Sequence, residues 1–237
     1  MLYWLIPLII GILLLGVFLY FRVKEKRLIA VIIKGCVSLM FIATGVIAWL
    51  TSKNPNHMFG LFVIIGLVFG LAGDVLLDIK YMTQNKEHLF TVLGFLAFAA
   101  CHACFTSGMF IYFFNFNASP FYLIIPVLVT ALLVVITLLM EKFTMIRYKD
   151  MKPYVILYGI FLFFTVCIYM SICIQTAWSN PVLFIMFGGL VSFALSDLIL
   201  NNTYFASGFN TPAFIISNHV LYYVGQFAIA MALFFLI

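Results

Sequence analysis

GLVFGLAGDVLLD (Gly66–Asp78) and GLVSFALSDLILN (Gly189–Asn201) decide how this chain is read. Asp74 and Asp197 lie inside these runs, whose other residues, apart from Asp78 and Asn201 at the ends, would sit comfortably in hydrocarbon. An ionisable side chain at membrane depth is costly, so its default reading is functional, usually with a partner. Aligned on the aspartates, Gly66, Leu67, Val68, Asp74 and Leu77 meet identical residues at Gly189, Leu190, Val191, Asp197 and Leu200.

The rest of the chain has the same character. Of its 237 residues, 66% are hydrophobic and 8% are charged. That is too little charge to cover a soluble surface. The apolar runs reach the roughly 20 residues a helix needs to cross a bilayer. The expectation is an all-α polytopic membrane protein whose residues 1–237 form a single transmembrane domain. Its eight transmembrane helices are placed near 2–21, 28–50, 58–79, 89–112, 121–140, 153–174, 181–200 and 212–236. The breaks RVKEKR, SKNPN, NFNASP and WSNP carry loop chemistry, with Pro55, Pro120, Pro153 and Pro181 near helix starts. The N-terminus lacks the basic region and cleavage site of a signal peptide, so the first span is expected to be retained.

The net charge of +5 does not point to nucleic acid, because the basic residues cluster at helix ends. Arg22, Lys24, Lys26, Arg27, Lys80, Lys86, Lys142, Arg147, Lys149 and Lys152 fall in loops on one side, and Lys53 alone falls on the other. By the positive-inside rule that side is cytoplasmic and both termini face away from it. An integral protein of a bacterial inner (plasma) membrane is expected. The third and seventh spans then run in the same direction, which fits a parallel 4+4 internal repeat about an axis along the membrane normal.

Asp74 lies about five residues, or roughly 8 Å, from the basic end of its span. Asp197, Lys34 and His219 sit at similar depth, which places the candidate site near the cytoplasmic leaflet. Gly66, Gly70, Asp74 and Asp78 follow an i, i+4 rule along one stripe. The two glycines would let a neighbouring helix approach closely. Gly189, Asp197 and Asn201 share a face, with Ser196 alongside. Asn218, Tyr222 and Gln226 form one row of the last span, and His219, Tyr223 and Gln226 another.

Each residue has a plainer alternative. Asp78 is expected to lie in the interface, so that Asp78→Asn is tolerated. Lys34 either snorkels to headgroups or joins the site. His102 sits deeper and reads as a neutral core histidine bonded to a backbone carbonyl. Of Tyr222 and Tyr223, one is expected to face the site. The five cysteines read as packing residues. Cys101-His102-Ala103-Cys104 lies on one helix and cannot converge on a metal, and no cofactor is called for.

Two acids in a poorly solvated site cannot both ionise easily, so the pair shares a proton and supplies an acid and a base together. That serves hydrolysis, proton-coupled transport or intramembrane proteolysis. Proteolysis fits poorly, since the residues before Asp74 and Asp197 match neither YD nor GxGD. Transport, or lipid binding without chemistry, stays open as the alternative. The shallow depth favours hydrolysis of a lipid at the bond joining chain to glycerol.

The sequence resembles the YhhN family of lysoplasmalogenase-like membrane proteins. The resemblance rests on Lys34-Gly35, where the family usually has Lys-Pro, and on Gly73-Asp74 followed by leucines. It extends to Phe90, Gly94, Phe98 and His102, then Ser196-Asp197, then Tyr223-Val224-Gly225-Gln226. Phe105 stands where the family tends to place an aromatic, without a tyrosine hydroxyl. The resemblance implies cleavage of the vinyl ether bond of a lysoplasmalogen to a fatty aldehyde and a glycerophospho-head. Asp74 and Asp197 would be catalytic. Lys34, His102, Ser196, Asn218, His219, Tyr223 and Gln226 would support them or bind the lysophospholipid. The expected partners are that substrate and membrane lipids, with no nucleic acid; the oligomeric state is open.

Overall fold

The computed structural model describes residues 2–53, 57–80, 82–83, 85–115 and 118–236. Pro55 lies outside the described residues. Eight helices long and apolar enough to cross a membrane are present among them. They are α1 (Leu5–Val23), α2 (Arg27–Leu50), α3 (His57–Ile79), α4 (Glu87–Tyr112), α5 (Phe121–Phe143), α6 (Lys152–Gln175), α7 (Pro181–Phe205) and α8 (Pro212–Ala232). Every expected span is found, with ends shifted by a few residues.

Local chemistry sets several starts. The Asn180 side chain accepts from the backbone N–H groups of Val182 and Leu183, with Pro181 opening α7. Thr211 caps α8 in the same way through the Phe214 N–H, ahead of Pro212. Each side-chain oxygen satisfies a donor that the first helical turn leaves unpaired, and proline there loses nothing.

Helices α2, α3, α4, α6, α7 and α8 pack in a closed cycle, each against the next and α8 back against α2. Helix α1 lies outside, against α2 and α8, and α5 lies outside against α6. Accordingly α5 and α1 are the least buried spans and α8 the most buried. The cycle of contacts maps onto itself when every helix number is advanced by four.

Glycines set the closest approaches. A Cβ on Gly225 would stand 2.7 Å from the carbonyl oxygen of Gly189, and one on Gly189 would stand 2.9 Å from that of Gly225. Helices α7 and α8 therefore touch backbone to backbone, the contact small residues permit in a membrane. Gly70 of α3 lies under α8, where a Cβ would come within 2.9 Å of Gln226 Nε2. Gly66 instead receives the ring of Phe105 from α4. The stripe read from the sequence thus admits two different helices.

Gly225→Leu is expected to push α7 from α8, at the roughly 1–3 kcal/mol typical of overpacking, and to lower the melting temperature in detergent. Gly188→Leu, with nothing within 4 Å of its Cβ position, should melt like the parent. Equal melting of both variants would refute the close contact.

Candidate functional site

The helix cycle encloses a cavity of about 450 Å³ at the basic end of the bundle. Asp74 of α3 and Asp197 of α7 both line it, with Lys34, Asp78, Asn218 and His219. The two carboxylates singled out by the sequence therefore face one space.

Asp74 is 2% exposed and receives groups from two helices beside its own. Ser38 Oγ on α2 donates to Asp74 Oδ2 at 2.6 Å, and the Tyr222 hydroxyl on α8 donates to the same oxygen at 2.8 Å. Lys34 Nζ lies 3.3 Å from Asp74 Oδ1. Gln226 Nε2 donates to the Tyr222 hydroxyl at 3.1 Å, which leaves that hydroxyl's proton for Asp74. Tyr223 stands behind Ser38, their hydroxyls 3.2 Å apart, and also reaches the Lys34 carbonyl at 3.4 Å. This network holds Asp74 as an acceptor with a cation beside it, the arrangement that a buried carboxylate requires in its charged form.

Asp197 is held differently. The Tyr158 hydroxyl of α6 donates to its Oδ2. Among the described residues no cation lies within ion-pair distance of Asp197. Asn218 Nδ2 donates to the Ser196 carbonyl at 2.7 Å and ties α8 to α7 just before the aspartate. Ser196 itself turns back to the Phe193 carbonyl at 2.7 Å.

Several expectations change. Asp78 is not exposed at the end of α3 as an interfacial charge would be: it is 2% exposed, lines the cavity, and sits 3.5 Å from Lys34 Nζ and 3.7 Å from Arg22 Nη1. Lys34 does not snorkel; at 6% exposed it is shared by Asp74 and Asp78. One of the two adjacent tyrosines faces the cavity, as expected: it is Tyr222, which touches Asp74, while Tyr223 lies behind it against Ser38. His219 lines the cavity and donates from Nδ1 to the Ile215 carbonyl at 2.7 Å, so Nε2 is its remaining ring nitrogen. His102 is fully buried but makes no bond to a carbonyl: among the described residues neither ring nitrogen has a hydrogen-bond partner. Its ring packs 4.8 Å from Phe193 and 6.0 Å from Tyr158, behind the cavity wall. Among the described residues no three His, Cys, Asp or Glu side chains converge as metal ligands would.

Ser38 and Tyr158 were not foreseen. A hydroxyl in an apolar span carries no local signal, since serine and tyrosine are ordinary packing residues there. For Ser38 a signal existed: it lies one turn beyond Lys34 and on its face. For Tyr158 we find none.

Lys80, just past α3, also lines the cavity and lies 3.2 Å above the Tyr204 ring. Burial pushes its ammonium down to about 7, against a smaller opposing pull from Asp78.

Residues 29–233 match the model of the YhhN family, and the chain belongs to that family. No curated protein and no solved structure matches it.

Removing one partner of a buried ion pair costs about 3–5 kcal/mol, so Lys34→Met should strongly lower the melting temperature. Asp78→Asn should lower it too, and should cost less in the Lys34→Met background than alone, because the pair is then already broken. Additive shifts in a double-mutant cycle would contradict a shared cation.

Proposed function

We propose that this member of the YhhN family is an intramembrane lipid hydrolase that cleaves the vinyl ether bond of a lysoplasmalogen. One observation carries the reading: two carboxylates line one cavity, the buried Asp74 with a cation and two hydroxyl donors, and the half-buried Asp197 with a tyrosine and, among the described residues, no cation within ion-pair distance. Family membership and the expected depth of the cavity below the headgroups support it.

A vinyl ether hydrolyses through protonation of its β-carbon. Asp197, with no cation to balance a charge, starts protonated and delivers that proton. The resulting oxocarbenium ion lies between two carboxylates, whose negative charge stabilises it. Water adds to the cationic carbon and gives its proton to Asp74. The hemiacetal then breaks: Asp74 returns the proton to the departing glycerol oxygen, and Asp197 takes the hemiacetal hydroxyl proton. The products are a fatty aldehyde and a glycerophospho-head, and both acids end as they began. The division of labour resembles that of two carboxylates acting on a glycosidic bond. Tyr158 positions Asp197; Lys34, Ser38 and Tyr222 position Asp74.

The phosphate of the substrate meets the cationic rim formed by Arg22, Lys34 and Lys80. If the basic loops face the cytoplasm, the lipid enters from that leaflet.

Purified protein given lysoplasmenyl-ethanolamine should release aldehyde, and the saturated ether analogue should not react. Loss of a general acid or base typically costs about 10²–10⁴-fold, so Asp74→Asn and Asp197→Asn should each fall that far while staying folded. Turnover retained in either variant would remove the carboxylate pair from the chemistry. A folded parent without turnover would favour a carrier or lipid-binding protein.

Lys80 adds a pH dependence. Its amine is charged below about 7 and neutral above, so KM should rise as pH passes upward through 7. Lys80→Arg, which stays charged, should flatten that slope; an unchanged slope would exclude Lys80 from headgroup binding.

A further inference from the structure

A second cavity, of about 420 Å³, lies between α5, α6 and α7. It differs from the first in chemistry: Leu133, Ile136, Met140, Leu162, Phe163 and Leu198 dominate its walls. It exists because α5 packs chiefly on α6 and leaves a gap toward α7. Ile136 and Met140, at 44% and 37% exposed, form a rim open to the bilayer.

The two cavities meet at α7. Ala194, Leu198 and Asn201 face only the apolar cleft, and Ser196 and Thr203 face only the polar cavity. Asp197 lies between these faces and lines both. Tyr158 holds Asp197 from the cleft side. Along α5 the cleft runs from Met140 to Leu133, seven residues or about 10 Å into the bilayer.

We propose that the cleft is the chain-binding site for a single-chain lysophospholipid, whose phosphate head occupies the polar cavity and whose chain leaves sideways between α5 and α7. The chemical class rests on the hydrolase reading above; the amphiphilic shape rests on the two cavities having Asp197, Leu200, Tyr204 and Phe205 in common as lining. A polar pocket with Arg22, Lys34 and Lys80 in its lining, sharing a wall with an apolar groove, matches a molecule with an anionic head and one apolar chain. Asp197 then stands where head becomes chain, beside the bond to be broken. A lipid so held would need only to slide along the bilayer, with its chain in apolar surroundings throughout.

Gly159 gives a clean way to fill the cleft. Its Cβ position meets only the Phe163 ring, at 3.7 Å and beyond, which is ordinary contact. Gly159→Leu therefore adds a side chain to the cleft wall without a clash at the first carbon. Leu133→Trp fills the cleft from the opposite wall.

The test is photolabelling of the purified full chain in lipid nanodiscs. The probe is a saturated alkyl lysophosphatidylethanolamine with a diazirine midway along its chain, which binds without being a vinyl ether. Labels are expected on residues 133–140 and 155–163, to be displaced by unlabelled alkyl lysophosphatidylethanolamine and not by a diacyl phospholipid. Gly159→Leu and Leu133→Trp, checked for unchanged melting, should each reduce them several-fold. Labelling that competitor does not displace, or that spreads over the outer faces of α1 and α5, overturns the cleft even if aldehyde is released. Displaceable labelling in the cleft without any aldehyde keeps the cleft and removes the hydrolase reading.

Discussion

The buried carboxyl group of Asp74, beside the Lys34 ammonium, is the constraint on which the rest of this structure depends. Left alone in hydrocarbon, such a group, if charged, would cost several kcal/mol even after relaxation. Here the cost is met by groups from two other helices, Lys34 and Ser38 of α2 and Tyr222 of α8. All must arrive together, so the network fixes the rotation and depth of α2, α3 and α8 against one another. Gly70 makes this possible by letting Tyr222 and Gln226 of α8 come close to α3. Asp78 draws a second advantage from the same lysine and adds Arg22 from α1. The peripheral first helix is thereby tied to the cycle at the end where the cavity opens.

The second aspartate gains its meaning by contrast. Asp197 occupies the matching place in α7, yet its described partner is a tyrosine and not a cation. Two chemically identical side chains in one cavity are thus given unequal surroundings. Unequal surroundings are how proteins obtain an acid and a base from the same residue type. The proposed hydrolysis uses this inequality, with Asp197 as the acid and Asp74 as the base.

How much of this was legible in the sequence follows from what each feature depends on. The eight spans follow from run length and polar breaks, which are local, and were read to within a few residues. Asp74 and Asp197 were legible because a carboxylate in an apolar run is conspicuous by itself. Asp78 was misread although the signal was there: it lies one turn from Asp74 on the stripe already recognised, and nearness to the helix end was given more weight than shared face. Tyr158 was invisible because its role depends on how α6 packs against α7, which no local pattern records. The same holds for the apolar cleft, which arises from α5 standing away from α7. That one of Tyr222 and Tyr223 faces the site was legible from helix geometry; that it is Tyr222 was not, because the choice depends on how α8 is rotated against α2 and α3.

The central claim is that a carboxylic acid in this cavity protonates carbon. Hydrolysis of lysoplasmenyl-ethanolamine in D₂O, with the aldehyde reduced at once to prevent exchange, tests it directly by mass spectrometry of the alcohol. The account predicts one deuterium at the carbon next to the former carbonyl, and slower turnover than in H₂O. An aldehyde released without deuterium at that carbon would contradict it.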